Sequence, residues 1–188
     1  MSASALLELD SISKRFGRVV VADGLSLSVA EGGTLGVVGP NGAGKTSLFG
    51  MISGEIRPDA GEVRLGGVAV SKLDTARRAR LGIGRTHQVP RPFTGMTVFE
   101  NVLVAAQQGG GLRSASAVSR ALDAIEQTRL TDQANTQAGR LGLLSRKRLE
   151  VARALATGPR LLLLDEVAGG LTDPEVAELV AIVRAVND

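Results

Sequence analysis

The sequence contains no cysteine, no tryptophan and no tyrosine, and its single histidine is His87. Without cysteine there is no disulfide framework, no thiolate metal site and no cysteine nucleophile, and a reducing compartment is compatible with the chain. The only aromatics are four phenylalanines, too few to build the stacking platforms on which single-stranded nucleic acid is held. Long hydrophobic runs are also missing. No window approaches the ~18 apolar residues of a membrane span, and Glu8 and Asp10 stand where a secretory signal would need a basic and then an apolar stretch. The chain is therefore expected neither to cross a membrane by itself nor to be exported.

What is present is ordinary globular material: 188 residues, 44% hydrophobic and 22% charged, enough for one compact domain or one with an inserted subdomain. Lysine and arginine (22) exceed aspartate and glutamate (19), giving a formal charge of +3. That excess hints only weakly at nucleic acid or a phospholipid surface, because the arginines are dispersed. The tightest basic group, Arg77, Arg78 and Arg80, is expected on a solvated helix face. Glycine is abundant, 24 residues, close to twice the usual share of ~7%. With no Gly-X-Y period or Gly/Ser run, these glycines point to turns and ligand loops rather than a linker.

Short, partly β-branched stretches at Ala5 to Leu9, Val19 to Val21, Leu25 to Val29 and Thr34 to Val38, bounded by Gly or Asp, read as strands. A helical pattern runs from Gly44 to about Ser53, Gly54 stops it, and Glu62 to Val70 reads as a hairpin turning at Gly66-Gly67. From Pro90 to about Ala156 the periodicity is helical. Thr97 and Glu100 form a capping-box pair, Val118, Leu122 and Ile125 recur on one helix face, and Gly109 to Gly111 separates two helices. Leu161 to Leu164 is a continuous apolar run of the kind buried on both faces of a parallel sheet. Thr172 and Glu175 cap a last helix bearing Val176, Leu179, Val180, Val183 and Val186 on one side. No internal repeat is visible.

The strongest chemical signal is Gly39-Pro40-Asn41-Gly42-Ala43-Gly44-Lys45-Thr46, a complete G-x-x-x-x-G-K-[ST] phosphate loop placed between an expected strand and a helix. Gly42 and Gly44 let the loop curl so that backbone N–H groups point inward, the helix N-terminus adds partial positive charge, and Lys45 reaches the β and γ phosphates. Gly39, Asn41, Gly42, Ala43, Gly44, Lys45, Thr46 and Ser47 are thus candidate ATP-binding residues, with the Thr46 hydroxyl on Mg²⁺. The second signal is Leu161-Leu162-Leu163-Leu164-Asp165-Glu166. It places Asp165 at the carboxyl end of a strand, where open parallel sheets bind ligands. Asp165 would hold Mg²⁺ through water, and Glu166, one residue on, would act as general base toward the water that attacks the γ-phosphate.

With these motifs, the chain resembles the ATP-binding subunits of ABC transporters over essentially its whole length. Lys45 and Asp165 are 120 residues apart, room for the helical insert that distinguishes this family. The segments KRFG, RTHQ, MTVFENV, RKRLEVARALA and DEVAGGLTDPE are most similar to importers of branched-chain or other hydrophobic amino acids. The resemblance makes Gln88 the loop glutamine, whose amide touches Mg²⁺ or the attacking water. It makes Phe16 the ring that stacks on adenine, although a half-buried strand-end phenylalanine is the plainer alternative. His87, beside Gln88, is expected to pack in its loop rather than to catalyse. Arg91, Phe93 and Met96 fall in a segment that faces a permease helix in relatives, or else belong to the core of the insert.

The resemblance also marks departures. The family's Leu-Ser-Gly-Gly-Gln type signature aligns with Leu141, Gly142, Leu143, Leu144 and Ser145, of which only the first leucine agrees. Gly142 lacks the hydroxyl offered to a partner's γ-phosphate, and Leu143 and Leu144 place bulk where close backbone approach is needed. Val167 replaces a common proline, and Thr172 stands where aspartate is frequent. Relatives continue into a further core strand, lying between those ending at Gly39 and Asp165, and a switch histidine, whereas no histidine follows His87. A C-terminally truncated cassette is the expectation.

The expected fold is α/β: a P-loop NTPase core with a mainly parallel sheet, an N-terminal antiparallel β-subdomain and an inserted α-helical subdomain. These form one ATP-binding domain over residues 1–188, with the insert at 90–158. The expected function is that of an ATPase subunit, cytoplasmic and peripheral on the inner face of the membrane. It would bind ATP and Mg²⁺, pair with a second ATPase subunit as a hetero- or homodimer, the altered signature favouring the heterodimer, and energise amino-acid uptake through permease subunits, without nucleic acid. The alternatives are a nucleotide-binding but essentially non-hydrolysing module, and a non-transport ABC protein acting on nucleic acid or ribosomes.

Overall fold

The computed structural model describes residues 5–187. The chain divides into two compact units at Arg78 and Ala79.

The first unit is built on a four-stranded antiparallel sheet, order β2-β1-β3-β4, from β1 (Ala5–Phe16), β2 (Val19–Ala30), β3 (Ala60–Leu65) and β4 (Val68–Ala69). The two expected strands at 19–21 and 25–29 are one continuous strand, because β1 offers a partner along the whole length, Phe16 opposite Val19 and Ala5 opposite Ala30, with bulges absorbing register shifts. Alternation places Leu7, Leu9, Val63 and Leu65 on the buried face as direct cross-strand pairs, Leu7 with Leu65 and Leu9 with Val63. The β3–β4 turn has both Gly66 and Gly67 at positive φ, 53° and 78°. A two-residue hairpin loop needs that backbone to match strand twist.

Helix α1 (Lys45–Ser53) starts directly after the glycine-rich loop, buries Leu48, Met51 and Ile52, and stops at Gly54 in a left-handed cap. Its exposed carbonyl end is closed from a distance. Arg78, on α2 (Thr75–Arg80), donates from Nη1 to the carbonyls of Met51 (2.6 Å) and Ile52 (2.9 Å), from Nη2 to Ser71 (3.0 Å) and from Nε to Leu73 (3.1 Å). It is 1% exposed. The expectation of a solvated Arg77–Arg80 face thus fails for Arg78, because the last carbonyls of a helix have no intrahelical partner and a buried guanidinium can satisfy several at once. Burial pulls its pKa below the ordinary arginine value.

Residues 34–38 are the second departure. They form no β-ladder among the described residues, and Leu35 and Val38 are 51% and 94% exposed. An alternating apolar pattern supplies side chains for a strand; the ladder needs a neighbouring strand beside it.

The second unit holds a two-stranded parallel sheet, β5 (Ile83–Arg85) with β6 (Leu161–Leu163), registered Ile83–Leu161, Gly84–Leu162 and Arg85–Leu163. With one neighbour, β6 is less covered than its all-leucine run suggests: only Leu163 is buried. The rest is helical: α3 (Val98–Val104), α4 (Ser114–Gln127), α5 (Leu143–Ala156) and α6 (Asp173–Asn187). Helix α3 begins with the expected capping box, in which Thr97 Oγ1 accepts from the Glu100 N–H and the Glu100 carboxylate accepts from the Thr97 N–H. It runs into a π-helical turn at Ala105–Gly109, and the glycines at 109–111 then separate it from α4.

The buried face of α4 is the small one, Ala117, Ala121, Ala124 and Ile125, with Val118 and Leu122 turned outward at 39% and 50% exposure. Alanines permit the close approach of α3 and α5, which bring the bulk: Val98, Val102, Leu149, Val151 and Leu155 share one core with them, together with Leu141 and Leu179. On α6 the buried positions are Leu179 and Ile182, while Val180 is 40% exposed, so the inward stripe is rotated from the expected one.

Candidate nucleotide and catalytic site

The glycine-rich loop, residues 39–46, is held curled by its own lysine. Lys45 Nζ donates to the carbonyls of Gly39 (2.6 Å) and Pro40 (2.9 Å), and the Ala43 N–H closes a turn on Pro40 (3.2 Å). Gly44 is the N-cap of α1 at φ 88°. A Cβ there would lie 2.7 Å from the Val21 carbonyl oxygen, so only glycine suits both the backbone and the space. Asn41 and Gly42 are exposed, Thr46 is exposed and Ser47 half-buried at the first turn of the helix. The first N–H groups of a helix are unpaired by geometry and carry its partial positive charge. A curled loop, a helix N-terminus and an ammonium group make a receptor for a phosphate chain. Phe16, at the end of β1, is 49% exposed, and the Lys14 ammonium lies 5.3 Å from its ring centre. The ring is thus an accessible strand-end aromatic.

In the second unit, Asp165 and Glu166 follow β6 and part company at once. Asp165 is 4% exposed and paired with Arg85 on β5 (Nη2 to Oδ2, 3.2 Å); its N–H donates to Thr86 Oγ1 (3.2 Å). Thr86 is itself buried, its N–H bonded to the Leu163 carbonyl, so the parallel ladder continues through side chains past its last strand residue. Glu166 is exposed and adopts a left-handed backbone, φ 46°, a conformation costing a non-glycine residue about 1–2 kcal/mol. Its carboxylate accepts a hydrogen bond from the side-chain amide of Gln88. The two residues are 78 positions apart and are brought together because 83–85 and 161–163 pair in parallel and both loops leave the same end of that sheet. His87 is exposed, so the expectation that it packs into its loop is corrected: Thr86, not His87, is the residue turned inward.

Arginine, threonine and lysine residues around this pair carry the second-unit geometry, and the sequence reading assigned none of them a role. Lys147 on α5 is 4% exposed and donates to the backbone carbonyls of Gln88 (2.8 Å) and Glu166 (3.3 Å). Burial lowers its pKa from the usual lysine value, partly opposed by the charges of Glu166 and Glu150. Farther along α5, Glu150 accepts from the Arg91 N–H (3.0 Å), and Arg153 donates to the Arg91 carbonyl (2.9 Å) and lies 5.5 Å from the Phe93 ring centre. Asn101 binds the Phe93 N–H and carbonyl. These polar ties fix 91–93 as a shaped surface, with Arg91 and Phe93 exposed and Met96 half-buried.

The segment aligned with the signature opens α5. Leu141 is buried in the helical core, Gly142 is the N-cap without any side-chain hydrogen bond, Leu143 is 44% exposed, and Leu144 and Ser145 are half-buried. A Cβ on Gly142 would meet nothing within 4 Å, so the missing hydroxyl is a matter of residue type, not of space.

Thr46 in the first unit offers a hydroxyl, and Gln88 and Asp165 in the second offer an amide and a carboxylate; each is a hard oxygen donor of the kind Mg²⁺ prefers. Among the described residues no group of three or more His, Asp or Glu is arranged to cage a metal; an ion held by one carboxylate and a nucleotide's phosphates requires none. No described helix is long and apolar enough to cross a membrane.

A phosphate loop opening a helix, an antiparallel sheet, a parallel sheet with acids at its carboxyl end and a helical block define a P-loop NTPase fold. The chain belongs to the ABC transporter family, whose sequence profile it matches over residues 22–169. It is 37% identical to the high-affinity branched-chain amino acid transport ATP-binding protein BraF of Pseudomonas aeruginosa, across 95% of this chain and 75% of that protein. It is 36% identical to LivG of Escherichia coli, of the same description, across 93% of this chain and 74% of that protein. Among solved structures it superposes on the ADP conformation of an ATP-binding cassette of an ABC transporter with a TM-score of 0.86 at 28% identity, covering 97% of this chain and 77% of that one.

Proposed function

We propose that the chain is the ATP-binding and ATP-hydrolysing subunit of an importer for branched-chain or other hydrophobic amino acids, organised as one ATP-binding domain with a helical insert at 90–158. The observation that carries the hydrolytic part is the pairing of an exposed glutamate, Glu166, with the Gln88 amide, directly beside a buried, ion-paired aspartate. Two adjacent carboxylates with different surroundings take different roles.

In this reading the 39–46 loop and the α1 N-terminus bind the triphosphate, Lys45 exchanges its loop carbonyls for phosphate oxygens, and Phe16 packs on the adenine. Thr46, Gln88 and Asp165 are the residues that would hold Mg²⁺, with Asp165 acting through water. When bound with ATP, the ion would supply neutralisation of the phosphate charge. Glu166 accepts a proton from the attacking water as its oxygen bonds to the γ-phosphorus and the bond to the β–γ bridging oxygen breaks, giving ADP and phosphate. Gln88 orients that water and Glu166 together.

The Arg91–Met96 surface, fixed by Glu150 and Arg153, is the proposed seat of a permease helix, which places the chain peripherally on the inner face of the membrane. A second ATPase subunit contributes a signature segment to this chain's phosphate loop; with Gly142 in place of a hydroxyl-bearing residue, a heterodimer suits the chain better than self-pairing. Steady-state ATP hydrolysis with partner subunits, wild type against Glu166→Gln, tests the reading: hydrolysis lost with nucleotide binding retained supports it, and equal rates overturn it.

A further inference from the structure

We infer that Lys147 is a positioning residue that yokes the Gln88 loop to the Glu166 turn through their backbone carbonyls, so that the two side chains act as one unit. The inference rests on the hydrolytic reading above and assigns to that site a residue outside its reacting groups. A single buried ammonium on α5 donates to the carbonyl oxygens of both residues, Gln88 at 2.8 Å and Glu166 at 3.3 Å. A further tie between the pair is the exposed side-chain bond from the Gln88 amide to the Glu166 carboxylate.

The two segments need such a yoke. Residues 86–90 and 164–168 lie beyond the ends of β5 and β6, and the ladder itself stops at the Thr86 N–H. Glu166 sits in a left-handed conformation, which persists only where its surroundings fix it. The Glu166 carbonyl is fixed twice, by the Gly169 N–H (3.0 Å) closing a turn and by Lys147. The Gln88 carbonyl receives Lys147 from the same helix. Lys147 also stands one turn before Glu150, which holds the Arg91 N–H. Successive turns of α5 therefore grip Glu166, Gln88 and Arg91, and a shift of α5 moves all three. A buried charged donor holding two backbone carbonyls is among the stronger hydrogen-bonding arrangements.

Amide hydrogen exchange on the nucleotide-free full chain reads the yoke without requiring activity. Lys147→Met should raise exchange at the amides of 86–89 and 164–168 together by about tenfold, leave the α3 amides at 98–104 unchanged, and be largely reversed in Lys147→Arg, whose guanidinium can reach two carbonyls. Acceleration in neither segment or in only one, a rise spread over α3 and α5 alike, or no recovery in Lys147→Arg overturns the inference. In the hydrolysing assembly, Lys147→Met should lower kcat by about tenfold with KM for ATP within twofold, and a loss carried by KM counts against it. A wild-type chain that never hydrolyses ATP overturns the hydrolytic reading alone, because the exchange experiment still decides the yoke.

Discussion

The side-chain amide of Gln88 donates to the carboxylate of Glu166, across 78 residues of sequence. This bond places an amide donor and a carboxylate acceptor at one point on the rim of the parallel sheet. In the proposed hydrolysis a water taken up there would meet a base and an orienting group together. Glu166→Gln keeps the shape and removes the proposed base. Turnover should fall by about 10²–10⁴-fold, with ATP affinity within twofold; single-turnover hydrolysis and a fluorescent-nucleotide titration measure the two separately.

Asp165 and Arg85 form a buried pair at 3.2 Å, with side chains 4% and 8% exposed. Removing one partner leaves the other charge buried with its closest counter-charge gone. Arg85→Ala should lower unfolding stability by about 3–5 kcal/mol, read by urea denaturation. A loss below about 1 kcal/mol would show the pair to be ordinary surface electrostatics.

Arg78 is the corresponding test for the first unit. Arg78→Met fills much of the volume and leaves four carbonyls without their donor. A cost of about 3 kcal/mol or more is expected, again by urea denaturation. Arg77→Met, on the exposed neighbour, should change stability by less than about 0.5 kcal/mol.

The helix caps set an acid dependence. Glu100 and Glu175 have pKa values held below the ordinary glutamate value by the N–H and hydroxyl of Thr97 and of Thr172 respectively. A lowered folded-state pKa contributes stability that is complete above the unfolded value of 4.5 and is lost as pH falls below it, through the lower folded value. The difference in Tm between wild type and Glu100→Gln should therefore be largest near neutral pH and shrink toward pH 3. A difference independent of pH would contradict the assignment.

Features written in local residue chemistry were legible before the structure. The capping box at Thr97 and Glu100, the stop at Gly54, the Gly66-Gly67 turn and the phosphate loop each need only a few neighbouring residues. Features that depend on a partner far along the chain were not. Arg78 lies in a basic run that reads as solvated, and two of its four carbonyl partners, those that close α1, are 26 and 27 residues upstream. Lys147 reads as one of three consecutive basic residues, and its partners lie 59 and 19 residues away. Residues 34–38 have the side-chain pattern of a strand and no described ladder, because pattern cannot supply an edge. On α4 the larger Val118 and Leu122 suggest the inward face, whereas close helix packing is served by the smaller alanines.

In the proposed reading, residues 39–46 grip the phosphates of ATP, with Lys45 as the loop's cation. Calorimetric titration of the full chain with ATP and Mg²⁺, wild type against Lys45→Ala, tests it most directly. The wild type should bind saturably and the variant at least about a hundredfold more weakly, with the fold unchanged by circular dichroism. Equal affinity in the two proteins, or no binding by the wild type, would contradict it.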